Sequence, residues 1–148
     1  KTLQRLNTRE FDRIVGDWLM GQSEFKAAIG ACVAVDGKTL RRSHDGEKRA
    51  KHLLSVFFHE ADVTIAQTEV GEKTNEIPKL KEVLEPIDLH GKVVTADAMH
   101  TQDKSAHFIV KDKSADYLFT VKNNRPTLRN QLESCLGNQA FSPSEWSH

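Results

Sequence analysis

The hydrophobic positions near the start of the chain repeat with the period of a helix. Five apolar residues lie on one helical face: Phe11, Ile14, Val15, Trp18 and Leu19. Asn7 and Glu10 precede them at the spacing of a capping box, with Asn in the place of the usual Ser or Thr. The pattern predicts an N-terminal helix whose apolar stripe either packs against the rest of the chain or docks a partner, and then a connector up to residue 28.

Three segments after this helix have the length and composition of β-strands. The continuous apolar run 29–35 stops at Asp36-Gly37 and is typical of a strand buried on both faces. Residues 53–59 form a second strand, and residues 63–70 alternate β-branched and polar side chains like a half-exposed third strand. Because only a short polar segment separates the last two strands, they are predicted to form a hairpin.

The second half of the chain alternates helical and strand patterns. Helical spacing covers residues 77–87, residues 101–110 with Thr101 as the cap, and the segment that begins at Pro126 and ends near residue 136. Short apolar runs at 92–96 and 117–121 lie between these helices. A hairpin followed by alternating helices and strands predicts an α/β fold, with a mixed five-stranded sheet flanked by helices.

Two of the buried-type strands each deliver an aspartate at their carboxyl end, Asp36 after residues 33–35 and Asp97 after residues 93–96. Ligands of open α/β sheets bind outside the carboxyl ends of strands, so the two carboxylates converge if these strands are parallel neighbours. Such a pair needs a cation or a shared proton, and oxygen ligands suit Mg²⁺ or Mn²⁺, which supports phosphoryl chemistry. Since Asp-Gly is also a common turn dipeptide, these residues alone leave a structural turn open.

The formal net charge is zero, but the charges are unevenly distributed. Residues 1–52 carry eleven basic and seven acidic residues, whereas residues 53–148 carry ten and fourteen. The basic excess is concentrated in one segment: Lys38, Arg41, Arg42, Lys48, Arg49 and Lys51. This distribution favours a local contact with a polyanion, although a solvated basic loop explains the charge equally well.

The length of 148 residues corresponds to one domain. No apolar stretch approaches the roughly 18 residues that a membrane-spanning helix needs, so no membrane partner is expected. We therefore expect a cytoplasmic protein.

Four sequence segments occur in a distinctive order: Val35-Asp-Gly-Lys-Thr-Leu-Arg41, Glu72-Lys-Thr-Asn-Glu-Ile-Pro78, Thr95-Ala-Asp-Ala-Met-His-Thr-Gln102 and Asp116-Tyr-Leu-Phe-Thr-Val-Lys-Asn-Asn124. Together they resemble the catalytic segment of the H repeat-associated, ISAs-type insertion-sequence DDE transposases. The leading helix over residues 3–19 is similar to the segment that precedes that core, so the resemblance covers nearly the whole chain.

The resemblance implies an RNase H-like fold, with an N-terminal helix and connector in residues 1–28, a partial catalytic core in 29–137 and a tail in 138–148. It also implies a DNA transposase in which water, and then a freed 3′-hydroxyl, attacks a DNA phosphodiester between two Mg²⁺ or Mn²⁺ ions. The implied partners are transposon-end and target DNA and further copies of the protein, in a bacterial cytoplasm at the nucleoid.

Carried over residue by residue, the resemblance makes Asp36 and Asp97 catalytic, metal-binding aspartates. It assigns the DNA contacts to five side chains: Lys38, Arg41, Arg42, Gln102 and Lys122. Asn124 matches the fourth segment too, but a turn residue is the expected role. His100 stands where the family commonly has glycine; it either contacts a metal-bound water or lies exposed in a loop, and we expect the exposed loop.

The third carboxylate of the family is a glutamate in a helical Glu-Asn-x-Leu-His-Trp block, and these 148 residues contain no such block. We therefore expect a truncated core that is inactive alone, with the third acidic residue beyond residue 148. The alternative is a non-catalytic remnant of a transposase that binds DNA or a protein partner. The terminal repeats, the target preference and the oligomeric state are not encoded in recognisable motifs.

Overall fold

The computed structural model describes residues 5–22, 25, 29–40, 52–71 and 76–136. Within these residues the helices are α1 (Thr8–Met20), α2 (Glu76–Leu84), α3 (Asp103–His107) and α4 (Pro126–Leu136). The strands are β1 (Cys32–Thr39), β2 (His52–Phe58), β3 (Val63–Val70), β4 (Val93–Ala96) and β5 (Asp116–Phe119). Short 3₁₀ turns span His59–Ala61 and Ala98–His100, and a π-helical turn spans Phe108–Asp112.

The five strands form one mixed sheet in the order β3-β2-β1-β4-β5. β1 pairs antiparallel with β2, and β2 pairs antiparallel with β3, from His52 opposite Val70 to Phe58 opposite Val63. β4 lies parallel to β1 on its other side, and β5 lies parallel to β4. The predicted mixed five-stranded sheet and its hairpin are therefore confirmed.

The hydrophobic core lies on one face of this sheet. Alternate residues of the three central strands are almost completely buried: Val33, Val35, Leu54, Val56 and Val94. α2 contributes a second layer with Leu80, Val83 and Leu84, and Phe108 and Ile109 join it from the π-helical turn. Since side chains alternate between the faces of a strand, the intervening residues of β1 and β4 lie on the opposite, half-buried face.

Helix α1 begins as predicted, because the Asn7 side chain accepts a hydrogen bond from the Glu10 backbone N–H at 3.3 Å. The predicted apolar stripe is only partly buried: Leu19 packs against the core, and the larger side chains at its other positions are exposed. Phe11, Ile14 and Trp18 are 49%, 54% and 64% exposed.

A glycine explains how α1 is oriented. A β-carbon on Gly16 would lie only 2.6 Å from the Ile65 carbonyl oxygen, so the helix backbone approaches β3 closely along this line. The Asp12 carboxylate, one turn earlier, accepts a hydrogen bond from the Gln67 side chain of β3 at 3.2 Å. The face that contains Gly16 and Asp12, and not the most apolar face, is therefore turned toward the sheet.

Several predicted boundaries shift. β1 does not stop at Asp36-Gly37 but continues to Thr39. α2 ends at Leu84, before Pro86, which lacks the N–H that a longer helix would use. Thr101 does not cap α3: Gln102 occupies that position, and the Thr101 hydroxyl donates to the Thr120 carbonyl oxygen at 2.8 Å.

Helix α4 forms where it was predicted, but it has no buried residue, and its three leucines at 128, 132 and 136 are exposed. The predicted tail 138–148 lies outside the described residues. The division of the chain at residue 28 stays a prediction.

Candidate active site

The parallel pairing of β1 with β4 fixes where the two candidate aspartates lie. The register runs from Cys32 opposite Val93 to Val35 opposite Ala96. Asp36 and Asp97 are the next residues of the two strands, and adjacent strands lie about 4.8 Å apart. The backbone therefore brings these two residues, 61 positions apart in the sequence, to neighbouring places at the carboxyl end of the sheet.

Asp36 is an exposed residue within a strand and not a turn residue. β1 goes on pairing with β2 beyond its last pair with β4, with Asp36 opposite Ser55 and Thr39 opposite His52. Strand alternation puts Asp36 and Lys38 on the same face, opposite to the buried Val35. β1 thus presents the acidic side chain of Asp36 and then the basic side chain of Lys38 on one face.

Asp97 both caps a turn and forms an ion pair. Its carboxylate oxygen Oδ1 accepts a hydrogen bond from the Ala98 backbone N–H at 2.7 Å, which begins the 3₁₀ turn Ala98–His100. The same oxygen accepts a hydrogen bond from the Lys122 ammonium at 3.0 Å, and both side chains are 61% exposed. The Ala98 N–H first, and then Lys122, hold the pKa of the Asp97 carboxyl below its usual value, so this group is ionised at neutral pH.

The loop after β5 supports the loop after β4. We call residues 97–102 the β4 loop and residues 120–125 the β5 loop. Asn124 donates to the Ala98 carbonyl oxygen at 2.6 Å, and Arg125 donates to the Thr101 carbonyl oxygen at 2.9 Å. Arg125 also donates to the Gln102 side-chain oxygen at 2.7 Å. These bonds, with that of Lys122, position the β4 loop and therefore Asp97.

Among the side chains predicted to contact DNA, Lys38 is exposed on β1, and Lys122 is exposed but bonded to Asp97. Gln102 is half-buried and accepts its hydrogen bond from Arg125. Arg41 and Arg42 lie outside the described residues. The structure thus brings Asp36, Lys38, Asp97 and Lys122 to the same end of the sheet.

Two expectations about single residues have clear outcomes. His100 was expected to lie exposed in a loop, but it is only 2% exposed, because the 3₁₀ turn directs Ala98 and His100 inward while Met99 faces solvent. Asn124 is the turn-supporting residue that was expected. Arg125 was not predicted to be part of the site. The one feature of the sequence that could have indicated it is its position directly after the fourth segment.

The described residues contain no larger set of potential metal ligands around this pair. Among them there is no group of three or more His, Cys, Asp and Glu side chains that could hold a metal ion. Asp36 and Asp97 supply oxygen donors of the kind that Mg²⁺ prefers, but they are only two.

The chain is similar to named bacterial proteins. A protein named putative transposase YncI, from Escherichia coli O157:H7, is 35% identical over 158 aligned positions, which cover 100% of this chain and 40% of YncI. The H repeat-associated putative transposase YhhI of Escherichia coli strain K12 is 41% identical over 103 positions, which cover 68% of this chain and 27% of YhhI. These relatives support an H repeat-associated transposase family for the chain. No protein-family model matches it.

The family resemblance stated from the sequence is thereby confirmed. The chain spans less than half of the length of either of these two family members. A solved structure, the piggyBac transposase synaptic complex with hairpin DNA, superposes with a TM-score of 0.52 at 17% identity over 78% of this chain and 27% of that one. This likeness concerns the fold alone, and it agrees with the predicted RNase H-like architecture. None of the helices in the described part of the chain could cross a membrane.

Proposed function

We propose that this chain contributes part of the catalytic core of an insertion-sequence DNA transposase, which cuts and joins DNA phosphodiesters. The observation that carries the proposal is the β1–β4 register, with Asp36 and Asp97 as the next residues of two parallel strands. The names of its relatives support the reaction class. The reaction itself, the transposon-end and target DNA and the assembly of several copies in a bacterial cytoplasm are part of this proposal.

We assign Asp36 and Asp97 as metal ligands. Both are exposed carboxylates, and Asp97 already attracts an ammonium group, so the donor chemistry suits a hard divalent cation such as Mg²⁺ or Mn²⁺. Such an ion, when bound, stabilises the charge that develops on phosphate oxygens during transfer. The 148 residues lack the family block that carries the third acidic ligand. The chain alone should therefore bind the metal weakly and should not cut DNA.

The basic residues of the site serve the DNA backbone in this proposal. Lys38 follows Asp36 on the same face of β1, where its ammonium can contact a phosphate beside the carboxylates. Arg41 and Arg42 continue the same basic segment in the sequence. Lys122 is exposed beside Asp97 and is assigned the same role. Gln102 acts through Arg125, which fixes the end of the β4 loop.

The first test is the titration of Mn²⁺ into the 148-residue chain, with the free ion measured by electron paramagnetic resonance. Asp36→Asn and Asp97→Asn should each weaken binding by about tenfold or more, because each removes one of two adjacent negative ligands. The matched control is Asp116→Asn, an exposed aspartate at the opposite, amino end of β5. That variant should bind Mn²⁺ as the parent chain does.

Unchanged Mn²⁺ affinity in either site variant would refute the proposed ligands. Metal-dependent nicking of DNA by the 148-residue chain would contradict the expected need for a third carboxylate. DNA binding that survives Asp36→Asn and needs no divalent ion would favour the non-catalytic remnant instead.

A further inference from the structure

The ion pair between Lys122 and Asp97 occupies one of the two carboxylate oxygens that Asp97 offers to the proposed metal site. The two hydrogen bonds described for this carboxylate both end on Oδ1, one from the Ala98 N–H and one from the Lys122 ammonium. A carboxylate oxygen has two lone pairs, so these two donors fill it. Since the Ala98 bond is part of the 3₁₀ turn, Lys122 is the donor that has to move if a cation is coordinated through this oxygen.

The environment of Lys122 makes this movement easy. Both side chains of the pair are 61% exposed, and exposed ion pairs contribute little to stability. The lysine ammonium is a point charge on a flexible stem, so it leaves without disturbing the backbone. Asn124 and Arg125 meanwhile hold the β5 loop to the β4 loop, which keeps the displaced ammonium close to the site.

We propose that Lys122 is a positioning residue that competes with the divalent ion for Asp97. In the metal-free protein its ammonium neutralises and orients the carboxylate; when the ion binds, the ammonium leaves Oδ1 and stays at the rim of the site, available to a DNA phosphate. The inference rests on the proposed metal ligands and adds a residue that lowers their affinity for the divalent ion. A negative group that engages the freed ammonium, such as a DNA phosphate, would therefore favour metal binding at Asp97.

The Mn²⁺ titration of the 148-residue chain tests this competition when it is repeated with two substitutions of Lys122. Lys122→Gln removes the competitor, so Mn²⁺ should bind about two- to fivefold more tightly, which corresponds to the weight of an exposed ion pair. Lys122→Arg keeps the charge and gives the carboxylate a guanidinium that can donate two hydrogen bonds to it. Mn²⁺ should therefore bind this variant as tightly as the parent chain or more weakly. The expected order of affinity is Gln above Lys, and Lys equal to or above Arg.

Two controls separate direct competition from a general effect of charge. Lys38→Gln removes one positive charge next to Asp36 without touching the Asp97 pair, and it should tighten Mn²⁺ binding less than Lys122→Gln does. In an Asp97→Asn background, Lys122→Gln should no longer improve the affinity, because the oxygen for which the two cations compete has lost its charge.

The inference is overturned if Lys122→Gln binds Mn²⁺ no more tightly than the parent chain does. It is also overturned if Lys38→Gln increases the Mn²⁺ affinity as much as Lys122→Gln does. A chain that binds no Mn²⁺ with either Lys or Gln at position 122 overturns it as well. Its failure is distinguishable from failure of the proposed function: if Asp36→Asn and Asp97→Asn abolish binding while the Lys122 variants behave like the parent, the ligands stand and only the competition is wrong.

Discussion

Asp97 shows how one side chain connects backbone structure with charge. Its Oδ1 ends β4 by capping the 3₁₀ turn, and it also holds the Lys122 ammonium of a loop 25 residues later. Asp36, its neighbour in the register, is an exposed strand residue next to the basic end of β1. Two aspartates with the same position in the sheet thus have different surroundings, and the contacts of Asp97 lower the pKa of its carboxyl.

The pKa of Asp97 should respond to Lys122 only in part. Because the Ala98 N–H is the larger cause of the lowered pKa, Lys122→Gln should raise the pKa toward the usual carboxyl value without reaching it. A carboxyl whose folded pKa is lowered stabilises the fold above its unfolded pKa, and this contribution is lost as the pH falls through the folded pKa. The parent chain should therefore lose the stability that Asp97 contributes only in acid, when the pH falls below the ordinary pKa of a carboxyl group.

Carboxyl carbon NMR of the metal-free chain measures this titration directly. Lys111→Gln, an exposed lysine of the π-helical turn, is the matched control and should leave the Asp97 midpoint unchanged. A Lys122→Gln midpoint at or below that of the parent chain would show that the ion pair does not form in solution.

The β4 loop and the β5 loop depend on each other through Arg125. Arg125→Lys keeps the charge but loses the planar group that reaches both the Thr101 carbonyl and Gln102. Amide hydrogen exchange in residues 98–102 should become faster, whereas the exchange of the β1 and β2 core should stay the same. The matched control is Arg13→Lys on α1, where the arginine pairs with Glu10 and Asp17 on an exposed surface. Unchanged amide exchange in the β4 loop of the Arg125→Lys variant would mean that the hydrogen bonds of Asn124 and Thr101 are enough to hold the two loops together.

The elements with a clear hydrophobic period were predictable from the sequence. The three helices and five strands of the α/β core follow local patterns, and so does the position of Asp97 directly after β4, whereas β1 continues past Asp36 to Thr39. The burial of His100 and the bond of Thr101 to Thr120 were not predictable, since both depend on the meeting of the β4 loop with the distant β5 loop. The orientation of α1 was missed because hydrophobicity ranks glycine low, although Gly16 makes the closest approach.

The molecule as a whole concentrates its apolar contacts on one side of the sheet. Leu84 is completely buried between α2 and the central strands, whereas Leu118, on the edge strand β5, is 68% exposed. The free energy of unfolding should therefore depend strongly on the first leucine and hardly on the second, although both belong to regular elements.

Leu84→Ala should lower the free energy of unfolding by about 2–5 kcal/mol, because it removes buried methyl groups and leaves a cavity. Leu118→Ala should change it by about 0.5 kcal/mol or less in the 148-residue chain. Urea unfolding followed by circular dichroism measures both. A comparable loss in the two variants would indicate that β5 is covered in solution.

The backbone contact at Gly16 has a consequence for which residues of α1 can vary. Where α1 crosses β3, the backbone at Gly16 lies directly against the main chain of Ile65, with no side chain between them at this point. The outer residues of the helix, Phe11, Ile14 and Trp18, can be exchanged without moving the helix. The outward-facing residues of α1 could therefore change freely during evolution, whereas position 16 has to remain a glycine to keep the helix in its place on β3.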